Sequence, residues 1–277
     1  MENAFQDKIV VITGGGSGIG KALAEAFDRM GAIVAVVDLN NVNDTKRNLE
    51  EPRRHLFFPG LDVTNETAIK SMITQIKEKH GQIDLYFSNA GILFPLDPTN
   101  DSVTKHSTAQ WSKILRVNLL SHVIALRALL PDWECGKGDG HFCITASAAG
   151  LLTSIGDASY GVSKAAAVSL AEHLAISHHP TVKVHCLCPQ AVDTPFVTKN
   201  ANSKATPVTA AMVDGFVSAE YVAKCTCEAI LRDDFYIFPH ARVPKYFQRK
   251  ASDHDRWLSG MKKLRKQILE AQVSSKL

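Results

Sequence analysis

The chain has 277 residues, 45% hydrophobic and 21% charged, with a formal net charge of +3. This is ordinary globular composition, enough for one large or two small domains. No uninterrupted apolar run is long enough to span a bilayer, no charged and apolar leader precedes the first expected strand, and the six scattered cysteines lack the second pair or His cluster of a zinc site, so neither a metal centre nor an integral membrane segment is expected.

Lys8–Thr13 reads as the first strand, apolar on both faces as in a sheet covered from both sides. Thr13-Gly14-Gly-Gly-Ser17-Gly18-Ile19-Gly20 follows and opens a helix over Gly18–Met30. Glycines permit a tight turn and close approach of the backbone, and the helix N-terminus presents free N–H groups to a pyrophosphate. Strict G-x-G-x-x-G spacing is absent, so the strand–turn–helix setting carries the argument. The second strand, Ala32–Asp38, ends in a carboxylate suited to ribose hydroxyls and repulsive to a 2′-phosphate. Leu39 follows where an arginine would serve NADP, and Ser17 places no cation in the loop; both favour NAD over NADP. The competing reading of Asp38 is a plain turn residue.

A helix over Thr45–Glu51, a strand over His55–Leu61, a helix over Glu66–His80 and a strand over Ile83–Ser88 continue the alternation. One long helix is expected over Ala109–Trp133, then a strand over Gly140–Ala146. The helix Ala158–His178 carries Tyr160 and Lys164, and Ser147 lies thirteen residues before the tyrosine. Residues four apart share a helix face, so phenol and ammonium converge. An ordinary tyrosine has a pKa of about 10, and bringing it near 7 takes roughly 4 kcal/mol of preference for the anion. The ammonium and a positive nicotinamide ring are the available sources, and a phenol with a lowered pKa is the expectation. A Tyr/Lys pair by itself is usually plain helix surface; the glycine loop and Ser147 set this one apart.

Val182–Cys188 and Phe235–Phe238 complete seven strands, with a helix over Ala219–Arg232 between them. Cys186 and Cys188 share one strand face and read as buried reduced thiols, fitting a reducing compartment. The alternation gives an α/β fold: a doubly wound, Rossmann-type, mostly parallel seven-stranded sheet with helices on both faces. A single domain over 1–277 is expected, with 190–218 as a substrate lid and 240–277 as a basic helical extension. From His240 onward ten Lys/Arg face three Asp/Glu, so the remainder carries 21 against 25. In the extension Trp257, Met261, Leu264 and Ile268 recur at helical spacing among Lys262, Lys263, Arg265 and Lys266. A helix laid on the body or on a second subunit is the plain reading; a clamp for an anionic substrate such as an acyl-CoA, or a membrane-surface contact, are the sharper ones. Ser275-Lys276-Leu277 matches the peroxisomal address, with a cytoplasmic location as the alternative. A peroxisomal location favours lipid-derived substrates.

These ordered motifs resemble the short-chain dehydrogenase/reductase (SDR) family over about residues 8–238: the Thr13–Gly20 loop, Asp62-Val63, Asn89-Ala90-Gly91, Asn118, Ser147, Tyr160 with Lys164, and Pro189 through Thr194. The resemblance implies a tetrad. Tyr160 is its acid/base, Ser147 orients the substrate oxygen, Lys164 binds the nicotinamide ribose and stabilises the tyrosinate, and Asn118 holds a water linking Lys164 to solvent. It also implies adenine contacts from Asp62 and Val63, a place beside the cofactor for Asn89, and a carboxamide contact from Val192 to Thr194. Gly14, Ser17, Gly18, Ile19, Asp38, Ala90, Gly91 and Pro189 complete the expected cofactor site. Pro189-Gln190 departs from the usual Pro-Gly and sets a polar side chain near nicotinamide and substrate.

The implied reaction interconverts a secondary alcohol and a ketone with NAD, with oxidation the expected direction. Phe94, Leu96, Leu151, Leu152, Phe196, Met212 and Phe216 are candidates for an apolar substrate pocket. A homo-oligomer, dimer or tetramer, is implied through the helix bearing Tyr160, where Ala165-Ala-Ala-Val168 permits close packing. The alternative is a non-enzymatic NAD-binding or interaction protein on the same fold. Nucleic-acid binding is not expected, because no recognition motif accompanies the basic tail.

Overall fold

The computed structural model describes residues 3–40, 42–97, 100–135, 140–198 and 214–274. Strands and helices alternate as β1 (Ile9–Thr13), α1 (Gly18–Arg29), β2 (Ile33–Asp38), α2 (Asn43–Asn48), β3 (Leu56–Pro59), α3 (Glu66–His80) and β4 (Leu85–Ser88). Then come α4 (Thr108–Leu115), a π-helical turn (Arg116–Leu120), α5 (Ser121–Glu134), β5 (Gly140–Thr145), α6 (Ala148–Leu152), α7 (Ala158–Ser177) and β6 (Val182–Leu187). The chain continues through β7 (Val192–Asp193), α8 (Pro195–Thr198), β8 (Val217–Ser218), α9 (Ala219–Leu231), β9 (Tyr236–Ile237), α10 (Val243–Ser252) and α11 (His254–Ser274).

The seven-stranded sheet runs β3-β2-β1-β4-β5-β6-β9, and every neighbouring pair is parallel. The chain winds outward from β1 to β3, then returns across β1 to place β4. Between β1 and β4 the strand order reverses, and at such a switch point a crevice opens at the carboxyl ends of the strands. Helices cover both faces. On one, Ile69, Met72 and Ile76 of α3, Leu126, Leu129 and Trp133 of α5, and Ala167, Ala171 and Leu174 of α7 meet the sheet. On the other, Leu23 and Phe27 of α1 and Val222, Ala223 and Ile230 of α9 do so. Each large apolar side chain withdrawn from water contributes ~2–3 kcal/mol, which is why Val10, Val11 and Ile12, all fully buried, form an uninterrupted apolar run.

Several boundaries differ from expectation. The α2 helix ends at Asn48 because Pro52 opens a separate 3-10 turn. His55, expected in a strand, is instead a buried connector: its Nδ1 accepts from Val34 N (3.0 Å) and its Nε2 lies 3.0 Å from Asp28 Oδ1. The expected single helix over Ala109–Trp133 is interrupted by the π-helical turn. The helical run Thr108–Glu134 is long and apolar enough by composition to cross a membrane, yet Ala125, Leu126, Leu129 and Trp133 are buried against the sheet, as in the core helix of a globular domain. Within the stretch expected as a lid, β7 pairs with β8 in a short parallel ribbon; residues 199–213, Met212 included, lie outside the described residues. So does Ser275-Lys276-Leu277.

Candidate active site

One cleft of about 1590 Å³ opens at the switch point, larger than the ~300–1,000 Å³ of a typical small-molecule pocket. It has room for a dinucleotide and a substrate together. Gly14, Ser17, Gly18, Ile19, Asp38, Asp62, Val63, Asn89, Ala90, Gly91, Pro189, Val192 and Thr194 all line it, as do Ser147, Tyr160 and Lys164.

The glycine turn forms one end. Gly14 holds φ +66°, and a Cβ on Gly20 would sit 2.2 Å from the Gly14 carbonyl oxygen, so only glycine fits there. Ser17 is the N-cap of α1 but its side chain makes no capping bond, and the first turn carries no acid. The α1 N–H groups therefore remain available to an anion. Asp38 closes the turn from β2, with Oδ2 accepting from Gly16 N (3.0 Å) and Oδ1 from Asn40 N (2.8 Å). Thr13 and Asn89 bolt the strand ends together. Asn89 N and Ala90 N donate to Thr13 Oγ1 (2.9 and 3.1 Å), Asn89 Nδ2 donates to Thr13 O (2.9 Å), and Thr145 Oγ1 donates to Asn89 Oδ1 (3.1 Å). Thr145 is a participant the sequence reading did not single out.

The reactive groups sit where β5, α6 and α7 meet. Ser147 caps α6, its Oγ accepting from Ala149 N at 3.1 Å. Asp157 caps α7 by accepting from Ser159 N (2.9 Å) and Tyr160 N (3.2 Å). That cap fixes Tyr160 in the first turn and Lys164 one turn on. Buried Lys164 donates from Nζ to Thr145 O at 2.7 Å, and its Nζ lies 5.9 Å from the Tyr160 ring centroid. Burial pulls the Lys164 ammonium down to about 8.

Burial pushes Tyr160 up to about 12, and the hydrogen bond with Ser147 opposes that shift without reversing it. The ammonium is bonded to Thr145 O and stands over the ring, and the expected lowering draws on a positive nicotinamide ring as well.

Asn118 is also placed differently from Ser147, Tyr160 and Lys164. It is fully buried behind the cleft, and its side chain is committed. Oδ1 accepts from Ile92 N (2.8 Å), while Nδ2 donates to Ile92 O (2.9 Å) and Ser163 Oγ (3.0 Å). These bonds tie the chain after β4 to α7, so Asn118 positions the wall through which Gly91 and Ile92 face the cleft. It lies within the π-helical turn, a distortion that recurs at functional sites; no periodicity in Ala109–Trp133 signals it. Beneath, His122 Nδ1 meets Ser88 Oγ at 2.5 Å, and burial, helped by the Lys164 charge, drives His122 down to about 3.

The opposite wall comes from the C-terminal extension. Lys245, Tyr246, Gln248, Arg249 and Ser252 of α10, with Arg256, Trp257, Gly260, Met261 and Leu264 of α11, face the cleft. Asp214 anchors this wall: it accepts from Gln190 Nε2 (3.3 Å), Arg242 (2.7 Å) and Tyr246 Oη (3.1 Å). Gln190 thus ties the loop after β6 to α10. Leu96, Leu152 and Phe196 line the cleft as expected of pocket residues, with the Phe196 ring 6.3 Å from that of Tyr160. Leu151 is instead buried in the core, the Phe94 ring lies tilted against His106 with centroids 4.6 Å apart, and Phe216 is exposed. Among the described residues no group of three or more His, Cys, Asp or Glu could hold a metal. Cys186 and Cys188 are buried free thiols with Sγ atoms 3.7 Å apart.

The family model described as short chain dehydrogenase matches residues 8–205. A meso-2,3-butanediol dehydrogenase of Serratia marcescens is 33% identical over 69% of this chain and 73% of its own length. A CLA biosynthesis dehydrogenase/reductase of Lactiplantibacillus plantarum is 30% identical over 69% of this chain, which spans 66% of that relative. The crystal structure of a short chain dehydrogenase/reductase from Burkholderia phymatum in complex with NAD superposes with a TM-score of 0.77 at 26% identity, covering 92% of this chain and 96% of its own.

Proposed function

The chain belongs to the short-chain dehydrogenase family, and within it we propose that it interconverts a secondary alcohol and a ketone with NAD, oxidation being the favoured direction. The observation that carries this reading is the convergence of Ser147, Tyr160 and Lys164 on the cleft that starts at the glycine turn. The residues present fit a dinucleotide. A Cβ on Gly91 would come within 3.5 Å of Lys164 Nζ and 3.4 Å of Asn118 Oδ1, so that glycine leaves open space beside the ammonium. The α1 N-terminus would hold the pyrophosphate, Asp38 the adenosine ribose, Asp62 and Val63 the adenine, and Val192 and Thr194 the carboxamide. Bound nicotinamide would supply the hydride-accepting carbon and a positive charge.

For the chain's own groups, Ser147 orients the substrate hydroxyl and Tyr160 takes its proton. Lys164 keeps a positive charge over the phenol ring, and Asn118 fixes the Ile92 segment and α7 relative to each other. NAD is favoured over NADP by Asp38, beside which Leu39 and Asn40 stand. Among the described residues lining that end of the cleft none is Lys or Arg, so nothing there would neutralise a 2′-phosphate. Val162 and Ile176 of α7 are exposed, and a second copy of the chain is the proposed cover for them.

The test is a panel of secondary alcohols with NAD, read by NADH absorbance, with the matching ketones and NADH in reverse. Turnover of one pair supports the reading. NADH binding with no turnover in either direction would leave the non-enzymatic alternative standing instead.

A further inference from the structure

The basic extension, read from sequence as a crowd of cations around Lys262–Lys266, is sorted by the structure into two groups. Lys262, Lys263 and Lys266 are exposed and absent from the cleft wall, and Arg265 pairs with Asp101 at 3.6 Å. The cations on the wall are others: Lys245 and Arg249, one turn apart on α10, and Arg256 in the first turn of α11. Among the described residues none of these three side chains has an ion-pair or hydrogen-bond partner, whereas neighbouring Arg242 is held by Asp214 at 2.7 Å. The one acid on this part of the wall, Asp253, uses Oδ1 to accept from Arg256 N at 2.9 Å. Residues 199–213 contain no Asp or Glu.

Leu96, Leu152, Phe196, Trp257, Met261 and Leu264 add apolar surface to the same cleft, with Thr153, Ser154, Gln248 and Ser252 among its polar lining. The α10 helix is held over α6, whose N-cap is Ser147, by the bond from Lys250 Nζ to Leu151 O at 2.6 Å. Lys245, Arg249 and Arg256 are exposed, so the cleft combines the Ser147–Tyr160 pair, apolar surface and a solvent-facing cationic rim.

We infer that the substrate is an amphiphilic anion: a secondary alcohol or ketone on an apolar body whose far end carries a carboxylate or phosphate received by Lys245, Arg249 and Arg256. This deepens the proposed redox reading and rests on it for the hydroxyl. Three exposed cations discriminate by charge and not by shape, so the preference weakens with salt.

The matched probes are 7-hydroxyoctanoate and 2-octanol, the same chain with and without the charge. With NAD at low ionic strength, kcat/KM is expected to favour the hydroxy acid by about tenfold, the preference shrinking as NaCl is added. The double variant R249Q/R256Q brings the ratio toward one, while K262Q/K263Q, outside the cleft, retains it, and R249K/R256K retains most of it. A wild-type ratio of one or below, or a ratio untouched by R249Q/R256Q, overturns the inference. Competition by octanoate and by octyl phosphate separates the two sources of anion. Should neither alcohol be oxidised, the redox reading has failed. The rim is then judged by tryptophan-fluorescence titration with octanoate and 1-octanol: tighter octanoate binding that R249Q/R256Q removes upholds it, and equal binding contradicts it.

Discussion

The two walls of the cleft are built by different means. The cofactor wall consists of strand ends, a glycine turn and two helix caps, and its side chains are bonded mainly to backbone: Asp38 to Gly16 N and Asn40 N, Asn89 to Thr13 O, Lys164 to Thr145 O, Asn118 to both backbone polar atoms of Ile92. The substrate wall consists of two amphipathic helices joined to the body by polar contacts centred on Asp214 and Lys250 and by apolar packing of Val243, Phe247 and Trp257. A wall fixed by backbone geometry admits few residue types at each position. A wall fixed by side-chain chemistry admits many, and can be retuned for a new substrate without disturbing the chemistry.

Substitutions should separate the walls, and the largest effect on cofactor binding is expected from Gly20→Ala. The added Cβ would meet the Gly14 carbonyl oxygen at 2.2 Å, and relief of that overlap distorts the turn at ~3 kcal/mol. NADH affinity, read by fluorescence titration, should fall about a hundredfold. Next, Asp38→Ala removes the carboxylate proposed to hold the ribose. NAD affinity should drop and the NAD/NADP ratio of kcat/KM narrow by about tenfold, ~1.4 kcal/mol, the size of a hydrogen bond to a charged group. On the other wall, Tyr246→Phe deletes one donor to Asp214. The cost should be about 1 kcal/mol in chemical denaturation, with KM for the alcohol raised several-fold and NADH binding unchanged; a loss of NADH affinity would mean that the walls are coupled.

A pH dependence of stability is expected as well, with His122 of the cofactor wall among its sources. The folded pKa of His122, about 3, lies below its ordinary 6.5. The unfolded chain therefore binds more protons between these values, so the stability is present above pH 6.5 and lost as pH falls. Unfolding free energy should decline by ~1.4 kcal/mol per pH unit at most below that point, and His122→Leu should flatten the slope.

The same contrast explains what could be read in advance. The parallel sheet was legible because Ile33–Asp38 and Ile9–Thr13 are apolar on both faces, a pattern that leaves little choice. The Gly14–Gly20 turn and the Tyr160/Lys164 spacing were legible because their geometry restricts the residues allowed. The π-helical turn at Asn118 was not, since a single extra residue per turn leaves the apolar periodicity of α4 and α5 nearly intact. Nor was the bond from Lys164 Nζ to Thr145 O, because four-residue spacing places Lys164 beside the ring without revealing what its ammonium bonds to. The stripe Trp257, Met261, Leu264 and Ile268 announced a helix, but three of these residues face the cleft and Ile268 is buried away from it. Which cations lie on the cleft wall depends on how α10 and α11 are docked, and no local pattern encodes that.

Central to the account is Tyr160 as the group that moves the substrate proton while taking little part in holding the dinucleotide. The most direct measurement pairs NADH fluorescence titration with alcohol turnover in Tyr160→Phe. The predicted result is NADH affinity within a few-fold of wild type and turnover reduced by about 10²–10⁴. Turnover near the wild-type rate in that variant would contradict the account.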